Sequence, residues 1–328
     1  MPDRASIHAR LLTLPCFSRD GGDPAATGAR RVACPDAGDV ARRLAVLGAR
    51  VVLASESGYP NCLRDLADPP AAVFVRGELP ARSRAVAVVG SRAASGYGIE
   101  QAGRLAADLA RLGYAIVSGL ARGIDAAAHR GALEAGGRSV AVLPGGLDAV
   151  TPRHHRELAE RVAERGALVT EIAAGEPVAR AMFVRRNRLI AAFSSATVVV
   201  EAAERSGALR TAEAARRIGR PVLAVPGDVD RETSRGCHAL IRGGAGLCEG
   251  AGDVVRALGF SGPADPQAGA EARLVAALSE RPEAAERLAR AAALTLDEAL
   301  AALLCLEWAG LACARPGQRW VRAARRVT

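Results

Sequence analysis

Residues 85–130 read AVAVVGSRAASGYGIEQAGRLAADLARLGYAIVSGLARGIDAAAHR, and they divide into two consecutive strand-loop-helix units. The runs Ala85–Val89 and Tyr114–Val117 are largely apolar and of strand length. Each ends in a glycine-rich loop, Gly90-Ser91-Arg92 after the first and SGLARG, Ser118 to Gly123, after the second. Helical spacing follows both loops. In an open parallel sheet, loops at the carboxyl ends of neighbouring strands face one crevice, and helices beginning there direct free backbone N–H groups into it. Such a crevice favours phosphates.

Further strands are expected downstream at Ser139–Leu143, Ala167–Ile172, Ala196–Val200 and Pro221–Val225. Helical patterns separate them, over 153–165, 183–193 and 206–218. This alternation predicts an α/β fold, an extended Rossmann-like doubly wound parallel sheet. Short helices at His238–Arg242 and Asp253–Leu258, with the segment Gly246–Glu249 between them, finish the domain. Upstream, a helical pattern from Asp39 leads into strand-like Arg50–Ala54, and Ser57–Arg76 reads as an irregular packing segment broken by Tyr59-Pro60 and Asp68-Pro69-Pro70. Residues 1–38 carry GGDP, TGARR and CPDAGD and form a poorly patterned N-terminal segment. The domains are therefore expected at 1–38, 39–260 (Rossmann-like), 261–270 (a linker, SGPADPQAG) and 271–328. The last shows three helix-like runs, 271–278, 283–293 and 296–309, and a hairpin, which suggests a small C-terminal winged-helix-like domain. Its third helix carries Asp297, Glu298 and Glu307 and no basic residue, which favours protein contact or packing over reading of a DNA groove.

The chain has 328 residues, half of them apolar, enough for about two domains with a sizeable core. A net charge of +9 suits an anionic partner such as nucleic acid. All 44 Lys and Arg residues are arginine, and GC-rich coding explains that count equally well, so arginine position carries more weight than number. Cys16, Cys34, Cys62, Cys237, Cys248, Cys305 and Cys313 are scattered with no C-x-x-C pair, which argues against a zinc site or a disulfide framework and fits a reducing cytosol. No apolar run approaches about 18 residues and the start lacks a signal-peptide pattern, so a cytoplasmic protein without membrane contact is expected.

Gly90, Ser91 and Arg92 form a candidate anion site: the glycine admits close approach, Ser91 donates and Arg92 pairs with the charge. Gly119 and Arg122 repeat the theme. Gly96-Tyr97-Gly98 is not a full dinucleotide fingerprint. Asp125 and His129 lie four apart on one helix face, an arrangement open to acid/base or ligand chemistry but more often a structural contact near a helix start. The run RAMFVRRNR at 180–188 sets Arg180, Arg185, Arg186 and Arg188 beside Phe183 and Asn187, with no acid within it. Guanidinium groups beside an aromatic ring suit single-stranded nucleic acid, whose phosphates pair with arginine and whose bases stack. The alternative is a solvated helix with Phe183 turned to the core. Ser206 and Gly207, after the fifth strand, either cap the next helix or hold a phosphate.

GSR at 90–92, SGLARGIDAAAHRGAL at 118–133, RRNRLIA at 185–191, VVVEA followed by SG and Thr211, AVPG at 224–227 and SRGCHALIRGGA at 234–245 together closely resemble the DNA-processing protein A (DprA/Smf) family. Tyr59-Pro60, Asp68-Pro69-Pro70 and Gly77 match as well, so the resemblance covers about residues 57–258. It implies a Rossmann-like, homodimeric protein that binds single-stranded DNA in a basic pocket and loads RecA onto it during natural transformation, without catalysis and without a cofactor or metal. It places Arg92, Arg180, Phe183 and the run 185–188 in that pocket, lined by the Gly90, Gly119 and Gly207 loops. Many family members begin with a helical domain whose pattern is not recognisable in residues 1–38. A rival reading is a nucleotide hydrolase of the lonely-guy phosphoribohydrolase type, suggested by Pro144-Gly145-Gly146. The Gly-Thr and glutamate expected after that loop are replaced by Leu147-Asp148-Ala149.

Overall fold

The computed structural model describes residues 3–14, 36–80, 84–258, 273–275, 277–279, 281–308, 311–317 and 319–322. The chain divides into two compact units, Met1–Leu258 and Gly259–Thr328. In the first, the strands in chain order are β1 (Arg50–Leu53), β2 (Ala72–Gly77), β3 (Ala85–Val89), β4 (Ala115–Ser118), β5 (Ser139–Val142), β6 (Ala167–Thr170), β7 (Ala196–Val199), β8 (Val222–Ala224) and β9 (Gly246–Leu247). They form one sheet in the order β1-β2-β6-β5-β4-β3-β7-β8-β9. From β3 to β9 all neighbouring pairs are parallel. The helices are α1 (Arg4–Leu11), α2 (Ala37–Val46), α3 (Gly96–Arg111), α4 (Ile124–Glu134), α5 (Arg156–Arg165), α6 (Arg180–Ala192), α7 (Ala208–Arg217), α8 (Arg235–Arg242) and α9 (Ala251–Ala257).

Strand β3 explains the architecture. All five of its residues are buried, because helices cover both faces of the sheet. Successive side chains alternate between the faces. Val86 and Val88 pack with Leu105 and Leu109 of α3, whereas Ala87 and Val89 join Leu189 and Ile190 of α6. Leu109, Leu189 and Ile190 are at most 1% exposed, and each such side chain contributes about 1.5–3 kcal/mol through burial. The chain runs outward from β3 through β4, β5 and β6, then α6 carries it back to β7 on the other side of β3. The switch point therefore lies between the carboxyl ends of β3 and β7.

Two parts depart from the sequence expectation. The segment before the main sheet is not merely packing: β1 and β2 pair antiparallel, and β2 joins β6 antiparallel, adding two strands to one edge. The prolines at 60, 69 and 70 lie in the connection between them, where no ladder N–H is needed. Within the poorly patterned N-terminal segment, Arg4–Leu11 is helical and buries Ile7 and Leu11. The expected linker 261–270 lies outside the described residues.

The second unit holds helices Ala285–Ala291 and Leu296–Trp308 and a small sheet of β10 (Glu283–Ala284), β12 (Arg319–Arg322) and β11 (Ala312–Arg315) in that order. Leu288, Leu303, Leu306 and Trp320 meet in its core. Two of the three acids of its longer helix, Glu298 and Glu307, have structural partners. Glu298 accepts hydrogen bonds from Thr295 N–H and Oγ1 at 2.9 and 2.8 Å, and Thr295 Oγ1 accepts Glu298 N–H at 3.3 Å, a reciprocal N-terminal cap. Glu307 accepts the Ala314 N–H at 3.1 Å and so ties the helix to β11.

Candidate nucleic-acid interface

The loops after β3, β4 and β7 open at the same end of the sheet, and α6 crosses beside them. The loop after β3 is held through both backbone groups of Ser91. Ser91 N–H donates to Glu201 O at 2.7 Å, and Ile124 N–H donates to Ser91 O at 3.2 Å, which joins it to the start of α4. The Arg92 side chain leaves this loop for the surface, and its guanidinium lies 4.9 Å from the ring centroid of Phe183 on α6. That distance is within cation–π range. Phe183 is half-buried and Arg92 exposed, so a flat apolar face and a planar cation stand together at the mouth of the crevice. Arg180, three residues earlier on α6, and Arg122, before α4, are also exposed.

The other members of the run 180–188 have partners within the chain. Arg186 is only 4% exposed, and its Nη1 donates to Gly119 O at 2.7 Å and also to Val142 O. The guanidinium lies flat beneath Gly119, where an added methyl group would overlap it, so this position requires glycine. Burial pushes the Arg186 pKa down to about 10, with Asp125 opposing the shift and Arg92 reinforcing it. The expectation of Arg186 as a DNA contact is thus corrected: it supports the Gly119 loop from below. Its position follows from helix geometry, since Arg186, Leu189 and Ile190 occupy the buried stripe of α6 at i, i+3 and i+4. Asn187 donates from Nδ2 to Gly207 O at 3.0 Å, linking α6 to the loop after β7. Arg188 pairs with Glu171 at 2.6 Å, and Arg185 with the same carboxylate at 3.4 Å. Asp68 lies 3.9 Å from both. Glu171 follows β6 and Asp68 precedes β2, so the absence of acids within the run gave no sign of these pairings.

The glycine loops are likewise satisfied from inside. Asp125, in the first turn of α4, accepts the N–H groups of Gly119 and Ala121 at 3.1 and 3.3 Å. Desolvation raises its pKa, against the attraction of Arg186. Ser91 Oγ accepts the Ala93 N–H at 3.1 Å, and Ser206 Oγ accepts the Ala208 N–H at 3.3 Å at the start of α7. The expected cradle of free N–H groups is therefore largely occupied, and the outward-facing chemistry includes Arg92, Arg122, Arg180 and the half-buried Phe183, with Arg205 exposed in the loop after β7. His129 is fully buried, and its ring Nδ1 lies 2.7 Å from Ser139 Oγ, which donates onward to Ile116 O at 2.9 Å. With Asp125 capping a loop and His129 sealed in the core, the pair is structural.

The Pro144-Gly145-Gly146 loop is buried, with Gly145 against Val178 and Gly146 against Ala173 and Ala174. Asp148 beside it pairs with Arg43 at 3.0 Å and accepts the Gly175 N–H at 3.2 Å. No cluster of three or more His, Cys, Asp or Glu side chains suited to a metal ion occurs among the described residues. No helix among them is long and apolar enough to cross a membrane.

Residues 50–259 match the family model of DNA recombination-mediator protein A. The chain belongs to that family. Residues 259–318 match the DprA winged helix domain. A DprA protein of Mycobacterium tuberculosis is 48% identical over 252 residues, which cover 72% of this chain and 64% of the relative. Protein Smf of Escherichia coli is 46% identical over 213 residues, covering 64% of this chain and 57% of that protein. The chain thus spans less than two thirds of the length of these relatives. Among solved structures, DNA processing protein A of Streptococcus pneumoniae superposes with a TM-score of 0.61 at 31% identity, covering 77% of this chain and 92% of that one. The Helicobacter pylori protein, whose structure describes its single-stranded DNA binding mode, superposes with a TM-score of 0.58 at 24% identity, covering 65% and 97% of the two chains. These superpositions agree with the largely parallel α/β sheet described above.

Proposed function

We propose that this chain binds single-stranded DNA at the mouth of the β3/β4/β7 crevice and delivers it to RecA, in recombination and natural transformation, as a cytoplasmic homodimer. The observation that carries the reading is the Arg92 guanidinium stacked 4.9 Å from the Phe183 ring. An aromatic face extended by a planar cation accepts any base, and Arg122 and Arg180 beside it offer charge to neighbouring phosphates. Arg185 and Arg188, already paired with Glu171 and Asp68, form the wall of the site. Membership of the recombination-mediator family supports the same substrate. In this reading the strand is held and passed on with no bond made or broken, and Asp125 and His129 serve internal hydrogen bonds. In a homodimer, two such sites on one strand raise apparent affinity through effective concentration.

The test of delivery is the rate at which RecA assembles on single strands precoated with a single-strand binding protein. The parent chain should accelerate assembly, and Arg180→Ala should lose the acceleration while keeping the parent's melting temperature. An assembly rate unchanged by the parent chain would refute RecA delivery. Sedimentation of the free protein as a monomer at all concentrations would refute the homodimer.

A further inference from the structure

Glu201 sits where β7 ends, at the switch point, and is 5% exposed. Its carboxylate turns toward the start of α3. Oε2 accepts the Ser95 N–H at 3.0 Å and the Ser95 hydroxyl at 2.9 Å. The same hydroxyl caps α3 by accepting the Gly98 N–H at 3.1 Å. Gly98 faces Oε2 so closely that an added methyl group would overlap it. The space left beside Glu201, bordered by Ser95, Val225 and Ser234, is about 20 Å³, room for roughly one water. Oε1 is buried with no hydrogen-bond partner among the described residues. Burying an unpaired carboxylate oxygen is costly, so stability alone does not account for an acid at this position.

In a doubly wound sheet, the start of the helix after the first strand at the switch point is where a nucleotide phosphate binds. Here a carboxylate of the chain holds that place. Its backbone also anchors the loop, through Glu201 O and Ser91 N–H. We propose that Glu201 is a built-in anion: it takes the position of a nucleotide phosphate, closes the crevice to free nucleotides and positions the loop that presents Arg92. Resting on the DNA reading above, this makes Glu201 a residue that sets the specificity of the site, for a strand gripped at the rim rather than a mononucleotide held in the crevice.

The test uses the full chain and two readouts. These are single-strand affinity at constant ionic strength, and thermal midpoint with and without formate or inorganic phosphate. Glu201→Gln keeps an acceptor oxygen for Ser95 and should bind single strands within about twofold of the parent, whereas Glu201→Ala should lose about tenfold, the equivalent of one or two such hydrogen bonds. Formate should restore the affinity of Glu201→Ala. Formate and phosphate should each raise its thermal midpoint and leave the parent's unchanged. Gly98→Ala evicts the carboxylate without deleting it, and should lose affinity without recovery in formate, because the methyl group fills the vacated place.

Parental affinity in Glu201→Ala, or a thermal midpoint indifferent to both anions, would overturn the proposal. If Glu201→Ala does not fold, parental affinity in Gly98→Ala would overturn it instead. A parent chain that fails to bind single strands would refute the DNA reading, and the response of Glu201→Ala to anions would still decide whether Glu201 holds the phosphate position.

Discussion

Residues of one type in one short run do different work here, and the difference is burial. Arg180 is exposed, whereas Arg186, on the inner stripe of α6, is held by the carbonyls of Gly119 and Val142. Arg186→Ala should lower stability by about 3–5 kcal/mol, because the buried Asp125 carboxylate and two carbonyls lose their cation. Arg180→Ala should leave the denaturation midpoint unchanged and weaken DNA binding. Urea unfolding of both variants checks the pair; equal midpoints would place Arg186 at the surface. Phe183→Ala should weaken single-strand binding by about 1–3 kcal/mol, the range for loss of one stacked base, with no loss of secondary structure. From sequence, Arg186 is expected among the DNA contacts, although its i, i+3, i+4 spacing to Leu189 and Ile190 is the signal by which an inward-facing position could have been found. What composition alone could not show is that Glu171 and Asp68, remote in the chain, return to pair with Arg185 and Arg188.

At the scale of elements, the strand-loop-helix rhythm from β3 to β8 was legible because a parallel sheet covered on both faces needs continuous apolar runs. The β1–β2 edge was not, since the connection between its strands is rich in proline and hides the pairing. The filling of the glycine loops by Asp125 and Glu201 was equally hidden, since each carboxylate looks from sequence like any other acid. Helix α4 carries a further consequence. Burial pushes the His129 pKa down from 6.5 to about 3, and the nearby His155, Arg186 and Arg130 add to the shift. The folded state therefore holds the ring neutral, while the unfolded chain takes up a proton below pH 6.5. This contribution to stability is complete above that pH and declines as pH falls toward 3, by up to about 1.4 kcal/mol per unit. His155, also buried and pushed down chiefly by desolvation, acts in the same direction. Melting temperatures from pH 7.5 down to 5 should fall for the parent chain and fall less steeply for His129→Phe, which has no ring to protonate. Parallel profiles would show that His129 stays solvated.

For the whole molecule, the net charge of +9 overstates what one strand of DNA meets. Many arginines are committed to ion pairs and backbone carbonyls, whereas Arg92, Arg122 and Arg180 are exposed at the mouth of the crevice. Three phosphate contacts, on a strand short enough to fill one protomer's site, imply a slope of about −2 for log affinity against log salt, far shallower than the total charge would suggest. Sequence preference should be weak, because stacking on Arg92 and Phe183 reads no base edge.

The measurement that tests this account most directly is binding of fluorescent single-stranded and double-stranded oligonucleotides across a salt series, for the parent chain, Arg92→Ala and Phe183→Ala. With oligonucleotides short enough to fill one site, single strands should be preferred, the salt slope should be near −2 and become shallower by about 0.7 in Arg92→Ala, and Phe183→Ala should bind more weakly with an unchanged slope. Equal affinity for single strands and duplex, with neither substitution changing it, would contradict the assignment of the DNA site to the Arg92–Phe183 platform.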